Sequence, residues 1–155
     1  MHQSPNVPLV DEGLELLDED ECWRLASAVP VGRVAVSIGA LPAIFPVNFA
    51  MYGNAIIFRT SPGTKLAAAV REAVIAFEVD SYDAEHRTGW SVLMIGQAEQ
   101  VCIDPVLTQP LLDAVLDPWA GGRRDHVVRI VPTFVSGRRI AGVAARACHP
   151  ASVPA

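Results

Sequence analysis

Residues 48–66, NFAMYGNAIIFRTSPGTKL, decide the fold because they combine a chain reversal, a buried strand and the beginning of a helix. Residues 52–54, Tyr-Gly-Asn, separate two apolar runs, which is typical of a hairpin turn. The run Ala-Ile-Ile-Phe at 55–58 is short, apolar and β-branched, and it predicts a strand buried on both faces. Ser61-Pro62 is typical of an N-cap followed by proline at the first helical position, which predicts a helix that continues to Glu72.

The same stretch places cationic and hydroxyl side chains around the predicted start of the helix. Arg59 precedes it, Lys65 lies in its first turn, and Thr60, Ser61 and Thr64 supply hydroxyl groups. The first N–H groups of a helix lack partners within the helix, so that together with its dipole they attract anions. The stretch therefore predicts a phosphate-binding site, and the alternative is a set of solvated charges beside an ordinary helix start. The two nucleotide-binding patterns G-x-x-x-x-G-K-[ST] and G-x-G-x-x-G are absent.

Composition limits the classes of protein to consider. The length of 155 residues predicts one domain with one core, and the 51% of hydrophobic residues against 19% charged predicts apolar surface buried between subunits. The net charge of −5 does not favour nucleic-acid binding. No apolar run reaches the roughly 18 residues of a membrane span, and the N-terminus lacks the features of a signal peptide. Three widely spaced cysteines are typical of free thiols in a reducing compartment, which predicts a cytoplasmic protein.

The order of predicted elements indicates one α+β domain at residues 14–142, between a flexible N-terminal arm at 1–13 and a C-terminal tail at 143–155. Asp18 and Glu21 have the spacing of a capping box, which predicts a helix that stops before Pro30. Strands are predicted at 32–38, 41–51, 55–58, 74–79, 88–101, 126–131 and 134–140, with a polar loop at 80–87 and a third helix at 104–118.

Antiparallel strands that follow one another along the chain favour a small closed or split β-barrel of the α+β class over a doubly wound sheet. Gly96 is expected to kink or bulge its long strand, and Pro132-Thr133 to form a turn between the last two strands. The two prolines of the strand at 41–51 indicate an edge or a bulge. Side chains fill the interior of a small barrel, so we expect a ligand site on its outside or between subunits.

The sequence offers little for other chemistry. Its histidines and cysteines do not have the spacing of a metal site, so we predict no metal. The nucleophile pattern G-x-S-x-G is absent, and no residue is assigned a catalytic role. Trp90, which begins the long strand, and Trp119, in a loop, are candidates for stacking against a flat ring, with core or interface packing as the alternative.

Three segments, at 30–70, 89–101 and 124–140, resemble the pyridoxamine 5′-phosphate oxidase-like FMN-binding split-barrel family. The most specific segment is Phe-Arg-Thr-Ser-Pro-Gly-Thr-Lys-Leu at 58–66, and the resemblance spans roughly residues 18–142. It implies that the FMN phosphate is held by Arg59, Thr60, Ser61 and Lys65, that Val47 and Asn48 border the ring, and that Trp90 and Ser91 approach from the neighbouring strand or from the other subunit of a homodimer.

The resemblance implies an FMN-dependent oxidoreductase with a small-molecule substrate that is not assigned. A reductase that uses the deazaflavin F420 is an alternative, and so is a carrier of flavin or another small ligand without turnover. The oxidase of this family holds its substrate phosphate with a C-terminal segment containing tryptophan and arginine, and this chain has no tryptophan after Trp119. We therefore expect little activity on pyridoxamine 5′-phosphate. Arg138 and Arg139 are adjacent and would point to opposite faces of a strand, so at most one of them would reach a given ligand.

Overall fold

The computed structural model describes residues 14–101 and 126–140. The predicted arm, the third helix at 104–118, Trp119 and the tail lie outside the described residues. The helices are α1 (Glu19–Ala26) and α2 (Lys65–Ala69), and the strands are β1 (Leu14–Leu17), β2 (Val31–Ile38), β3 (Leu41–Tyr52), β4 (Ala55–Thr60), β5 (Val74–Asp83), β6 (Thr88–Val101) and β7 (His126–Ile140).

The seven described strands form one antiparallel sheet that closes on itself. Their order is β1-β7-β4-β3-β2-β5-β6, and β6 pairs again with β7. Strand β7 pairs with β4 through its first residues, with β1 through its last residues and with β6 along most of its length. The pairing between β2 and β5 covers only residues 33–35 and 76–78. The fold is therefore the small split β-barrel of the α+β class that the sequence predicts.

The interior of the barrel is filled by apolar side chains from alternate positions of the strands. The rings of Phe49 and Phe77 meet edge to face with centroids 4.7 Å apart, a geometry that contributes about 0.5–1.5 kcal/mol beyond the burial of the rings. The N-cap of helix α1 is Asp18, whose carboxylate accepts a hydrogen bond of 2.8 Å from the Glu21 amide, as the capping box predicts. Because side chains fill the interior, a ligand site is expected on the outside of the barrel or between subunits.

The hairpin from β3 to β4 confirms the prediction made from residues 48–66. Its turn lies at 53–54, and Gly53 adopts φ +58°, the left-handed region that favours glycine. Residues 55–58 are all buried. Ile56 and Phe58 belong to the barrel core, whereas Ile57 belongs to a second apolar cluster with Val127. Strand β4 is thus buried on both faces.

The prolines of β3 lie where the strand has one neighbour. Pro42 and Pro46 pair with β2, and the described pairing with β4 begins only at Phe49. The missing N–H group of each proline therefore disturbs no ladder on the other side. This confirms the prediction of an edge for this part of the strand.

The prediction of a turn at Pro132-Thr133 is wrong, because β7 runs continuously from 126 to 140. Ile95 pairs with Phe134 and Gly96 with Pro132, so that Thr133 is the extra residue of a β-bulge. A Cβ atom on Gly96 would lie 2.1 Å from the carbonyl oxygen of Val131, so only glycine fits. The bulge predicted at Gly96 is confirmed. Pro132, which suggested a turn, pairs with Gly96 at this bulge.

Two further boundaries differ from the prediction. Strand β5 continues to Asp83, so the polar connection to β6 is the turn at 84–87 rather than the whole of 80–87. Strand β1 was not predicted, because four residues outside any periodic pattern give no local signal. It pairs with the last four residues of β7, and each residue lies 120 or more positions from its partner in the sequence. Only the fold brings these two segments together.

Candidate functional site

The chain between β4 and α2 forms a turn rather than the predicted helix start. Pro62 is followed by Gly63 with φ +73°, and the Thr64 amide donates a hydrogen bond of 3.4 Å to the Ser61 carbonyl. Proline followed by a glycine of positive φ is the pattern of a type II turn. The prediction of an N-cap at Ser61 and a helix to Glu72 is therefore wrong, because the Pro-Gly pair favours the turn.

The N-cap of α2 is Thr64, which also fixes the loop. Its hydroxyl accepts a hydrogen bond of 3.1 Å from the Ala67 amide and donates one of 3.0 Å to the Ser61 carbonyl. Because that proton is used, the contact of 3.1 Å between the hydroxyls of Thr60 and Thr64 requires Thr60 to donate. Thr60 is buried, and these three bonds hold the turn in one conformation.

The turn and the hairpin enclose a pocket of about 260 Å³, which we call the Lys65 pocket. Five of the eight sequence-predicted binding residues line it, and all five come from β3, β4 and the chain that follows β4. Its lining residues are Phe45, Pro46, Val47, Arg59, Thr60, Ser61, Thr64, Lys65 and Leu66.

The Lys65 pocket has the donor set of an anion site. Arg59 and Lys65 contribute two positive charges, and buried Val47 contributes an apolar wall. Thr60 and Thr64 direct their protons into the loop, whereas the Ser61 hydroxyl makes no hydrogen bond within residues 14–101 and 126–140. Charge-assisted hydrogen bonds from two cations and one hydroxyl suit a phosphate group.

Asn48, the predicted neighbour of a ring, is not among the residues that line the Lys65 pocket. It follows Val47 on β3 and pairs with Val31 of β2. Its side-chain amide donates a long hydrogen bond of 3.5 Å to the Pro30 carbonyl. In a single chain, Asn48 therefore contacts the connection between α1 and β2.

Trp90 and Ser91 line a different pocket, of about 530 Å³, which we call the Trp90 groove. The end of the β5–β6 hairpin forms one side of it, and the ends of β1 and β7 form the other. Its lining residues are Leu14, Asp80, Ser81, Tyr82, Asp83, Ala84, Arg87, Thr88, Gly89, Trp90, Ser91, Arg138 and Ile140. One chain thus does not bring Trp90 and Ser91 into the Lys65 pocket.

The two arginines at the end of β7 have different surroundings, as their alternation on the strand predicts. Arg138 lines the Trp90 groove, whereas Arg139 donates a hydrogen bond of 2.5 Å to Glu21 and lies 3.8 Å from Glu15. Hydrogen bonds from Arg24 and Arg139 lower the pKa of Glu21 to about 2. Arg138 was not assigned to a site from the sequence, because the partner strands of β7 could not be identified.

An apolar row crosses the outer face of the sheet, on the side opposite the core. Ile44 pairs with Ala35, Ala35 with Ala76, Ala76 with Ile95 and Ile95 with Phe134. Neighbouring residues in each strand pack into the core, so these five face outward, and Ile44 is 67% exposed. We call this set the outer apolar row.

Two other classes of site find no support in the described part of the chain. No group of three or more histidine, cysteine or acidic residues there has an arrangement that would hold a metal ion. Among the same residues, no helix has the length and apolar character needed to cross a membrane.

The amino-acid sequence is similar to known sequences. A family model described as pyridoxamine 5′-phosphate oxidase matches residues 18–139. Rv0080, an uncharacterised protein of Mycobacterium tuberculosis, is 41% identical over 129 residues, which are 80% of this chain and 84% of that protein.

Solved structures show the same fold. The FAD binding protein from Mycobacterium smegmatis is 31% identical, with a TM-score of 0.65 over 83% of this chain and 99% of that one. The FAD and heme binding protein from the same organism is 18% identical, with a TM-score of 0.66 over 84% of this chain and 74% of that one, and it shows likeness of fold alone.

Proposed function

The chain belongs to the pyridoxamine 5′-phosphate oxidase family, and from that premise we propose that it is a flavin-dependent oxidoreductase that binds FMN by its phosphate. The observation that carries the proposal is the Lys65 pocket, where Arg59, Lys65 and Ser61 line one small cavity beside a rigid turn. A monophosphate dianion matches the two positive charges of this pocket.

Each part of the pocket has a separate task in this proposal. Lys65 and Arg59 bind the phosphate oxygens, and Ser61 donates a neutral hydrogen bond. Thr60 and Thr64 keep the turn in place, so that little conformational entropy is lost when the anion binds. Val47 would give the bound flavin an apolar wall.

The redox chemistry would be supplied by the flavin ring, and the protein would contribute binding, orientation and electrostatics. No side chain is assigned to proton transfer. The substrate is a small molecule, and we expect poor turnover of pyridoxamine 5′-phosphate. The test is oxygen consumption by the flavin-loaded protein with that compound, and a kcat/KM of about 10⁴ M⁻¹s⁻¹ or more would contradict the expectation.

FAD is a second candidate because the 31%-identical protein from Mycobacterium smegmatis is an FAD binding protein. FAD carries the same phosphate with an adenylate attached, so both flavins would use Arg59 and Lys65. Their relative affinities distinguish the two candidates.

Titration of the protein with FMN, FAD and riboflavin, followed by quenching of flavin fluorescence, tests the proposal. Charge-assisted hydrogen bonds contribute about 1.5–3 kcal/mol each, so FMN should bind roughly ten- to a thousandfold more tightly than riboflavin, which lacks the phosphate. Equal affinity for FMN and riboflavin would refute a phosphate site. Tighter binding of FAD than of FMN would select the second candidate.

We further propose a homodimer that buries the outer apolar row and completes the flavin site with Trp90 and Ser91 of the partner. The exposed Ile44 and the separation of the two pockets within one chain support this arrangement. Sedimentation should show about twice the 16.6 kDa mass of the chain. Ile44→Glu should convert the dimer to a monomer and weaken FMN, since a buried, unpaired carboxylate is costly. Lys65→Glu, outside the row, should remain dimeric.

A further inference from the structure

The charges around the Trp90 groove are unequally compensated. Asp80 accepts a hydrogen bond of 2.7 Å from Arg33, and Asp83 lies 2.8 Å from the ring of His86. Arg138 is partly buried, yet it makes no hydrogen bond or ion pair with the described residues. Both acids of the groove thus have hydrogen-bond partners, whereas its partly buried guanidinium has none among the described residues.

The groove also presents flat and apolar surface next to that guanidinium. Tyr82 contributes an aromatic ring and Ile140 an aliphatic side chain that is 50% exposed, both on the face of the sheet that carries Arg138. Trp90 pairs with Arg139 and packs against the core, so it borders the groove from the other face. Ser91 lies directly opposite Arg138 in the pairing of β6 with β7. A ring would pack against the aromatic side, and a carboxylate would accept two hydrogen bonds from one guanidinium.

We propose that the Trp90 groove binds a planar aromatic carboxylate, with Arg138 as the residue that binds the carboxylate group. A single arginine matches a monoanion better than a phosphate dianion, and Arg87 at the rim adds positive potential without burial. The assignment of this ligand as the substrate rests on the proposed function, whereas its binding to the groove does not.

Calorimetric titration with 2-naphthoate and with its neutral isostere 2-naphthamide tests the proposal on the full chain without flavin. Naphthoate should bind at least tenfold more tightly than naphthamide, because only it pairs with the guanidinium. Arg138→Gln should abolish this preference, and Arg138→Lys should keep part of it. Arg71→Gln removes an equal charge at an exposed site outside the groove and should change neither affinity.

Several results would overturn the inference. The first is equal affinity for naphthoate and naphthamide. The second is the same loss of naphthoate affinity in the Arg71 and Arg138 variants. The third is no binding of naphthoate at about 1 mM, the range of weak small ligands. Tyr82→Leu should weaken both ligands, and unchanged binding would remove the aromatic side from the site. Unfolding curves of each variant separate loss of binding from loss of fold.

Repeating the titration with saturating FMN separates this inference from the proposed function. Unchanged naphthoate affinity supports a substrate site beside the flavin, whereas competition by FMN would assign Arg138 to the cofactor and overturn the substrate assignment. Failure of FMN to bind would refute the proposed function alone, because the first titration uses protein without flavin.

Discussion

The Lys65 pocket and the Trp90 groove differ in how their residues are distributed along the chain. The pocket uses two short segments, 45–47 and 59–66, which one hairpin brings together. The groove uses Leu14, residues from 80 to 91, Arg138 and Ile140, which meet only because β6 and β7 close the barrel. A site built from neighbouring residues leaves a recognisable sequence pattern, and a site built by barrel closure does not.

The largest effect is expected from Gly96→Ala, which tests the dependence of the groove on barrel closure. The new Cβ would collide with the Val131 carbonyl at 2.1 Å, so the bulge between β6 and β7 would have to rearrange. Overpacking of this kind costs about 3 kcal/mol in the free energy of unfolding, measured by urea denaturation.

Gly53→Ala is the matched control for that substitution. A Cβ at Gly53 would meet no atom within 4 Å, although φ is +58°, so it should cost only about 1 kcal/mol. If the Gly96 variant folds, its affinity for naphthoate should fall more than its affinity for FMN. Equal, small losses of stability in both variants would show that the bulge does not limit barrel closure.

Lys65→Ala should weaken FMN by about 1.5–3 kcal/mol, or one to two decades in Kd, and should leave riboflavin affinity unchanged. The side chain is exposed, so the fold should not depend on it. Arg71→Ala, two residues after the end of α2, removes the same charge outside the pocket and should not alter FMN affinity. A loss that is equal for riboflavin and FMN would mean that Lys65 does not contact the phosphate.

Thr64→Ala should lower the free energy of unfolding by about 1 kcal/mol because α2 loses its N-cap. Thr64→Ser keeps the hydroxyl and should retain most of the stability. The naphthoate affinity of the Trp90 groove should stay at the parental value in both variants. A change there would show that the two sites are coupled.

Glu21→Gln should have the smallest effect and should depend on pH. The pKa of Glu21 is lowered from 4.5 to about 2, first by Arg24 and then by Arg139. A lowered pKa means that this stabilisation is present above about pH 4.5 and is lost as the pH falls to 2. The Tm of the variant should therefore lie below that of the parent at pH 7 and converge with it between pH 4.5 and 2. Glu85→Gln, an exposed carboxylate in the 84–87 turn, should show no such convergence.

The prediction from sequence succeeded where the deciding interactions are local. The hairpin at 53–54, the cap at Asp18 and the strand at 55–58 all depend on residues within a few positions of one another. The wrong helix start at Ser61 is also local, since Ser-Pro and Pro-Gly are competing signals and the positive φ of Gly63 decides for the turn. The binding roles of Val47, Asn48 and the other predicted residues stay predictions.

The sequence by itself determined an α+β barrel, the hairpin and the grouping of Arg59, Ser61 and Lys65, because hydrophobic periodicity, turn residues and caps act over short distances. Only the tertiary structure decided that β1 pairs with the end of β7, that Thr133 forms a bulge and that Arg138 lies in the groove with Trp90. Those outcomes depend on strand register. Register is fixed by packing between residues far apart in the chain, where a shift of one position would reverse which side chains face the core.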